Sequence, residues 1–455
     1  MEGTAGTKVV LGDPRKSIPA LAAPLAVSVF VMNLNSMADT AWAAWLGGSA
    51  VAGLGLAYPL CAAIAGIGNG MGIGSAAAIA REVGRGDRAG ASRTAAQSLT
   101  LAFLCSIVVS VPLVLFAGDL LGLFGADESA SEALDYGMPI FAGSFFVIAG
   151  QVVSGMLRGE GASRRSMAVQ LAGALTNMVL DPVLMYGLGL GVMGAGIATV
   201  CAGAVSLTAG LAFYISGRDM YADLRSGGFA PDRKVSRDIL YVGLPESAEY
   251  MVMTLINIPM NFIIIGVGGE DVVGTYTSAW RVAYMVLIPA QAVSGGIVSV
   301  CSAEFAAGRA DLLNEAFSFG TRLSVRLTLY LAVPMALLCY PIAWVFTVSP
   351  DLEPLRGDMA FCLLMLAVLL PSMSQVFVGS AYLQSIEHSE IGFLSSLTRN
   401  IVMVIGYLAA AALFGSTEAI WTVMAIAEIG GGLLMWKLAS VYIGRFCRSC
   451  QASPS

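Results

Sequence analysis

The sequence predicts an all-α integral membrane protein, with twelve transmembrane helices in two parallel six-helix bundles. Three observations predict it. The composition is too apolar for a domain in water, apolar runs of membrane-crossing length recur from end to end, and one half repeats the other.

Of 455 residues, 57% are apolar and 12% charged, where a soluble domain carries about 25% charged residues. A soluble protein with one very large core has no room for so many apolar runs. The runs lie near 17–42, 50–79, 96–117, 133–157, 165–187, 192–216, 238–266, 272–302, 317–341, 355–384, 392–413 and 417–442. Each exceeds the ~20 residues that cross a bilayer as a helix. Helices are expected because lipid offers the backbone no hydrogen-bond partner. The first run is too long for a cleaved leader and has no small-residue cleavage site, so it is expected to be retained.

The halves repeat in register. Pro24, Gly47-Gly48 and Gly53 recur as Pro245, Gly268-Gly269 and Gly274, each 221 positions later. An even number of helices per half lets both enter from the same side, so the repeats are parallel. The division expected is 1–216 (N-lobe), 217–237 (a cytoplasmic linker rich in charge, Gly and Pro) and 238–455 (C-lobe). Loops carrying Arg81, Arg85, Arg88, Arg93, Arg158, Arg164, Arg165, Arg218 and Arg233 fall on one side with both termini. Asp119, Asp127, Glu128, Glu270, Asp271, Asp351 and Glu353 fall on the other, with Arg356 as the one basic loop residue there. The positive-inside rule then puts both termini in the cytoplasm.

Asp39 sits in "NSMADT", inside an apolar run. "ALTNMVLDPVLMYG" places Asn177 and Asp181 four residues apart, on one face of the fifth helix. Thr199 lies on the sixth helix and Tyr136 near the start of the fourth. At 1.5 Å per residue, Asp39 is roughly 33 Å and Asp181 roughly 24 Å from the cytoplasmic end, with Thr199 about 10 Å below the outer end. All belong to the outer half of the first bundle. The second half has no counterpart: Asp39 aligns with Met260. An ionisable residue inside the membrane marks a functional site by default, and the bland alternative for Asp39 is a helix-end acid reaching water.

At these residues the chain resembles the multidrug and toxic compound extrusion (MATE) transporters over essentially its whole length. The resemblance rests on "ADTAWAAWLGG", "GNGMGIGSAAAIAREVGRGDRAGA", "MLRGEGASRRSM", "LTNMVLDPVLMYGLGLGVMGAGIATV" and "GLPESAEYMVM". It implies the twelve-helix MATE fold and an antiporter exporting organic, often cationic, compounds against inward H⁺ or Na⁺ flow. It also implies a cation site formed by Asp39, Tyr136, Asn177, Asp181 and Thr199, with Na⁺, if that is the ion, on Asp39, Asn177, Asp181 and Thr199. One branch of the family has a glutamate on helix seven where this chain has Met253. The match is therefore to the DinF-like and archaeal-type branches.

Other residues carry weaker signals. Glu249, Arg281 and Glu428 lie in apolar segments of the second half. Buried charges pair, so an Arg281–Glu pair is expected, either beside a cavity or purely structural. Gly66, Gly70 and Gly74 give a small-residue face for close helix packing. Pro24 can bend the first helix or merely kink it. Cys447 and Cys450 form a lone CxxC with no second pair to hold a metal. His388 reads as a surface residue.

The chain is thus expected to be a monomeric, multi-pass protein of the cytoplasmic (inner) membrane. It would act on a small molecule within the lipid bilayer, with no nucleic-acid partner, no cofactor and no enzymatic activity. A lipid-linked oligosaccharide flippase of related fold is the alternative. Its cavity would need several cations for pyrophosphate, whereas only Arg281, Arg326 and Arg399 lie in or near these helices.

Overall fold

The computed structural model describes residues 4–122 and 130–452, and among these every regular element is a helix. Asp127 and Glu128, expected on the acidic side, lie outside the described residues. A short helix, α1 (Ala5–Val10), precedes α2 (Pro14–Leu46), which runs unbroken through Pro19 and Pro24. There follow α3 (Gly48–Arg85), α4 (Arg88–Gly122), α5 (Ala130–Ala142), α6 (Ser144–Gly159), α7 (Ser163–Pro182) and α8 (Gly191–Ser216). After the short α9 (Leu224–Gly227) come α10 (Arg233–Gly268), α11 (Glu270–Ala306), α12 (Ala310–Leu337), α13 (Cys339–Phe346), α14 (Arg356–Ser385), α15 (Ser389–Phe414) and α16 (Thr417–Ala452). Among the described residues ten helices are long and apolar enough to cross a membrane, and twelve spans result when each of two bent pairs counts as one.

Those pairs refine the sequence reading. The run at 133–157 is not one helix: α5 and α6 meet at 56°, where Gly143 lies against the side chain of Val200. The run at 317–341 likewise divides into α12 and α13 at 68°, and α13 continues to Phe346. Apolar composition carried through both bends because it reports burial in lipid and not helix direction. Each half turns on its glycine pair: Gly47 has φ +120° and Gly269 φ +85°, a backbone that L side chains rarely adopt.

By contact the residues form two compact units, 1–251 with 298–309, and 252–297 with 310–455. In the first, α3 packs on α6, α7 on α8, and α2 on α7. Glycine makes these approaches close. A Cβ on Gly155 would strike the backbone of Gly72, and one on Gly66, Gly70 or Gly74 would strike Tyr250, Ser247 or Ile239 of α10. The four-residue glycine face thus packs as its spacing predicts. In the second unit α14 packs against α12 and α16, around a core that includes Trp421, Tyr407, Tyr276 and Leu363. Large apolar side chains left exposed, such as Val108, Leu115, Leu337 and Leu413, belong to membrane-spanning helices, where lipid covers them.

Candidate functional site

Two helices of the first unit carry the same short pattern, Asn-x-x-x-Asp: Asn35 and Asp39 on α2, Asn177 and Asp181 on α7. A four-residue step puts each amide below its own carboxyl on one helix face. The α2–α7 packing then brings the two faces together. Asn35 Nδ2 donates to Asn177 Oδ1 at 2.7 Å and lies 3.4 Å from Asp39 Oδ2. Asn177 Nδ2 donates to Asp181 Oδ1 at 3.1 Å. A chain of amides therefore links the two acids, each tethered by one oxygen.

The opposite oxygens are left over. Asp39 Oδ1, Asp181 Oδ2 and Asn35 Oδ1 are all buried with no hydrogen-bond partner. All three are acceptors, and the two carboxyls lie within hydrogen-bonding reach of each other once one carries a proton. Asn177 and Asp181 are 4% and 1% exposed, so water does not cover the deficit freely. Buried polar atoms without partners are costly. A site short of positive charge and rich in oxygen suits a small monocation.

Local backbone chemistry sets the geometry. Asp181 immediately precedes Pro182, which has no N–H to continue the helix ladder. Just beyond it the chain widens into a π-turn, Val183–Gly187, a feature that recurs at functional sites. The π-turn carries Tyr186, whose hydroxyl donates to the carbonyl of Trp42, one turn past Asp39. The two rings meet edge-on at 6.3 Å. This clasp fixes α2 against α7 next to the acids.

Of the predicted site residues, the structure brings Asp39, Asn177 and Asp181 into one cluster, and puts the Tyr136 hydroxyl within electrostatic reach of both carboxyls. Gly196 of α8 meets the Tyr136 carbonyl, holding α5 close. Thr199 differs: its hydroxyl donates back to the Ala195 carbonyl at 3.0 Å and not to either acid. Sequence reasoning missed Asn35 and Tyr186. The repeated Asn-x-x-x-Asp pattern could have found Asn35, but nothing in the sequence marks a π-turn.

In the second unit Glu428 pairs with Arg399 of α15 at 3.3 Å, not with Arg281, which is exposed on α11. Arg399 also reaches Asn400 Oδ1 at 3.3 Å and lies over Gly431, which offers no side chain to obstruct it. Glu249 is half-buried on the part of α10 that belongs to the first unit. Cys447 and Cys450 are free thiols, and Cys447 Sγ lies 3.4 Å from the Ala310 carbonyl. His388 is 40% exposed, beside Glu390.

One buried acid lies outside the spans. Glu160, in the turn after α6, is 2% exposed and accepts from the backbone N–H of Tyr221 at 2.8 Å and of Ala222 at 3.3 Å. Burial pushes its carboxyl up to about 7, against the pull of these bonds and of the Tyr214 hydroxyl. The 217–237 segment is thus pinned, with Ala5 N–H on Asp219 and Asp223 N–H on Ser92 adding further ties.

Comparison with known proteins agrees with this architecture. The MatE family profile matches residues 24–183 and 245–408, one copy in each half. The FAD transporter of Shewanella oneidensis is 22% identical over 92% of each chain. The probable multidrug resistance protein NorM of Thermotoga maritima is 26% identical over 74% of this chain and 73% of its own. A solved MOP-superfamily transporter from Pyrococcus furiosus superposes with a TM-score of 0.92 at 28% identity, covering 98% of this chain and 99% of that one. With a profile spanning most of the chain and a whole-length structural match, this protein belongs to the MatE family of membrane transporters.

Proposed function

We propose that the protein is a secondary active antiporter that exports organic compounds, cationic or amphipathic, in exchange for H⁺ or Na⁺ held at Asp39 and Asp181. The observation that carries this reading is the trio of buried acceptor oxygens with no donor, on Asn35, Asp39 and Asp181. A proton shared by the carboxyls, or a sodium ion ligated by these oxygens, relieves the repulsion between two acids held face to face. Tyr136 and Thr199 would complete the oxygen set. With the cation bound, α2 and α7 close on each other; without it they repel. This makes ion binding depend on conformation, as coupling requires. The gradient supplies about 1.4 kcal/mol per pH unit and about 2.3 kcal/mol per charge per 100 mV. Pro24 is the point where α2 would bend.

The same reading places a monomer in the cell membrane with both termini in the cytoplasm. Single cysteines at 81–93, 158–165 and 216–238 should resist impermeant thiol reagents in intact cells, and labelling from outside would overturn it. Transport in proteoliposomes with separately imposed H⁺ and Na⁺ gradients tests the coupling. Flux that follows neither gradient would end the antiporter reading.

A second substrate class has one observation in its favour. The second unit buries donors without partners, Arg399 Nε, Asn400 Nδ2 and Trp280 Nε1, and donors suit an anionic or carbonyl-rich substrate. The likeness to a FAD transporter over 92% of the chain points the same way. Counterflow with a cationic dye against FAD separates the two.

A further inference from the structure

The first unit has a cavity of about 630 Å³ that the ion site does not use. It opens between the start of α7 and the end of α8, at the end of these helices where the arginines collect. Ala168, Ala209, Ala212 and Phe213 form its walls, and Arg165 and Arg218 flank it. Both helices are membrane-spanning, and the wall at Ala209 lies seven residues inside the end of α8 at Ser216. At 1.5 Å per residue that is about 10 Å of depth. The groove therefore runs from the headgroup level into the hydrocarbon, and its alanines are what leave it open.

The two arginines are held differently. Arg165 donates to the Asp219 carbonyl at 3.1 Å, stands 3.9 Å from the Asp219 carboxylate, and stacks over Phe213 at 5.5 Å. It also lies within electrostatic reach of Glu160. Its charge is therefore largely answered and its position fixed. Arg218 follows Gly217, whose φ of +62° ends α8, and it is exposed. Arg164, also exposed, adds to the field.

The geometry points to a binding site for an anionic phospholipid, its phosphate on Arg218 and the edge of Arg165 and its upper acyl chain along the alanine groove. A basic rim above an apolar slot between spanning helices matches that chemistry. Inorganic phosphate would gain nothing from the apolar walls, and a zwitterionic lipid would bring a second charge of the wrong sign.

The test uses the purified transporter in nanodiscs of equimolar phosphatidylglycerol and phosphatidylcholine, with retained lipid counted by native mass spectrometry. The wild type should keep phosphatidylglycerol preferentially. Arg218→Ala should cut that preference about fivefold, the worth of one arginine near an anionic headgroup. Ala212→Leu, which fills the groove and leaves both arginines, should abolish retention, and Arg445→Ala elsewhere should change nothing. Equal retention of both lipids, a preference unchanged in Arg218→Ala and Ala212→Leu, or displacement of lipid by inorganic phosphate would each overturn the proposal.

Discussion

Each unit buries an acid within its membrane-spanning helices, and each keeps it by a different means. In the second, Glu428 and Arg399 are nearly inaccessible and 3.3 Å apart, so the charge is answered permanently by a neighbouring helix. In the first, Asp39 and Asp181 accept from the neutral amides of Asn35 and Asn177, and one oxygen of each acid is left without a partner. Around the first unit's acids the unpartnered atoms include the acceptors of Asn35, Asp39 and Asp181, whereas beside Glu428 they are the donors Arg399 Nε and Asn400 Nδ2. A resident guanidinium answers Glu428, whereas on the function proposed above an exchanging cation answers Asp39 and Asp181. The duplication therefore supplied one scaffold twice, and the charges on it diverged.

Neutralising the first unit's acids should have the largest effect. Asp39→Asn and Asp181→Asn should each lower gradient-driven flux by about a hundredfold or more, with the double variant little worse because the pair acts as one unit. Flux per folded transporter in proteoliposomes is the measurement. Wild-type flux in Asp39→Asn would reduce Asp39 to a helix-end acid reaching water.

Next comes the second unit, where the expected damage is to the fold. Glu428→Gln leaves a buried guanidinium unanswered and should cost about 3–5 kcal/mol of stability. Replacing both partners by methionine should restore much of it. Thermal unfolding in detergent reads the stability, and the folded fraction should still couple flux to the gradient. Loss of coupling with stability intact would assign Glu428 to ion transfer.

Asn35 tests the tether. Asn35→Ala keeps both carboxyls but removes the amide that bridges α2 to Asn177 and its unpartnered oxygen, and should weaken ion affinity by about tenfold or more. An unchanged ion dependence of flux would show that the bridge is packing only.

The smallest effect on flux belongs to Glu160, an acid answered by backbone donors, which bears on stability alone. Its folded value of about 7 stands above the ordinary 4.5, so the folded state holds the extra proton between the two. The stabilisation is complete below 4.5 and is lost as pH rises through 7. Wild type should therefore lose stability relative to Glu160→Gln between about pH 4.5 and 7, by at most about 1.4 kcal/mol per unit. Parallel melting curves for the two proteins across that range would reject the raised value.

Much of this protein was legible without a structure. Apolar runs of span length dictate helices, because lipid forbids unpaired backbone. The offset repeat dictates two similar halves. Asp39, Asn177 and Asp181 stand out because a polar residue is conspicuous among so many apolar ones. Tertiary structure decided what periodicity does not encode. The bends at Gly143 and after Leu337 left no mark, since a bent span is as apolar as a straight one. Glu428 took Arg399 and not Arg281 because pairing depends on which helices pack, here α15 on α16. Asn35 joined the site because α2 and α7 set two Asn-x-x-x-Asp faces against each other, and Tyr186 because a π-turn after Pro182 carried it to Trp42. A sequence states what each helix face must bury, and packing alone chooses the face it is buried against.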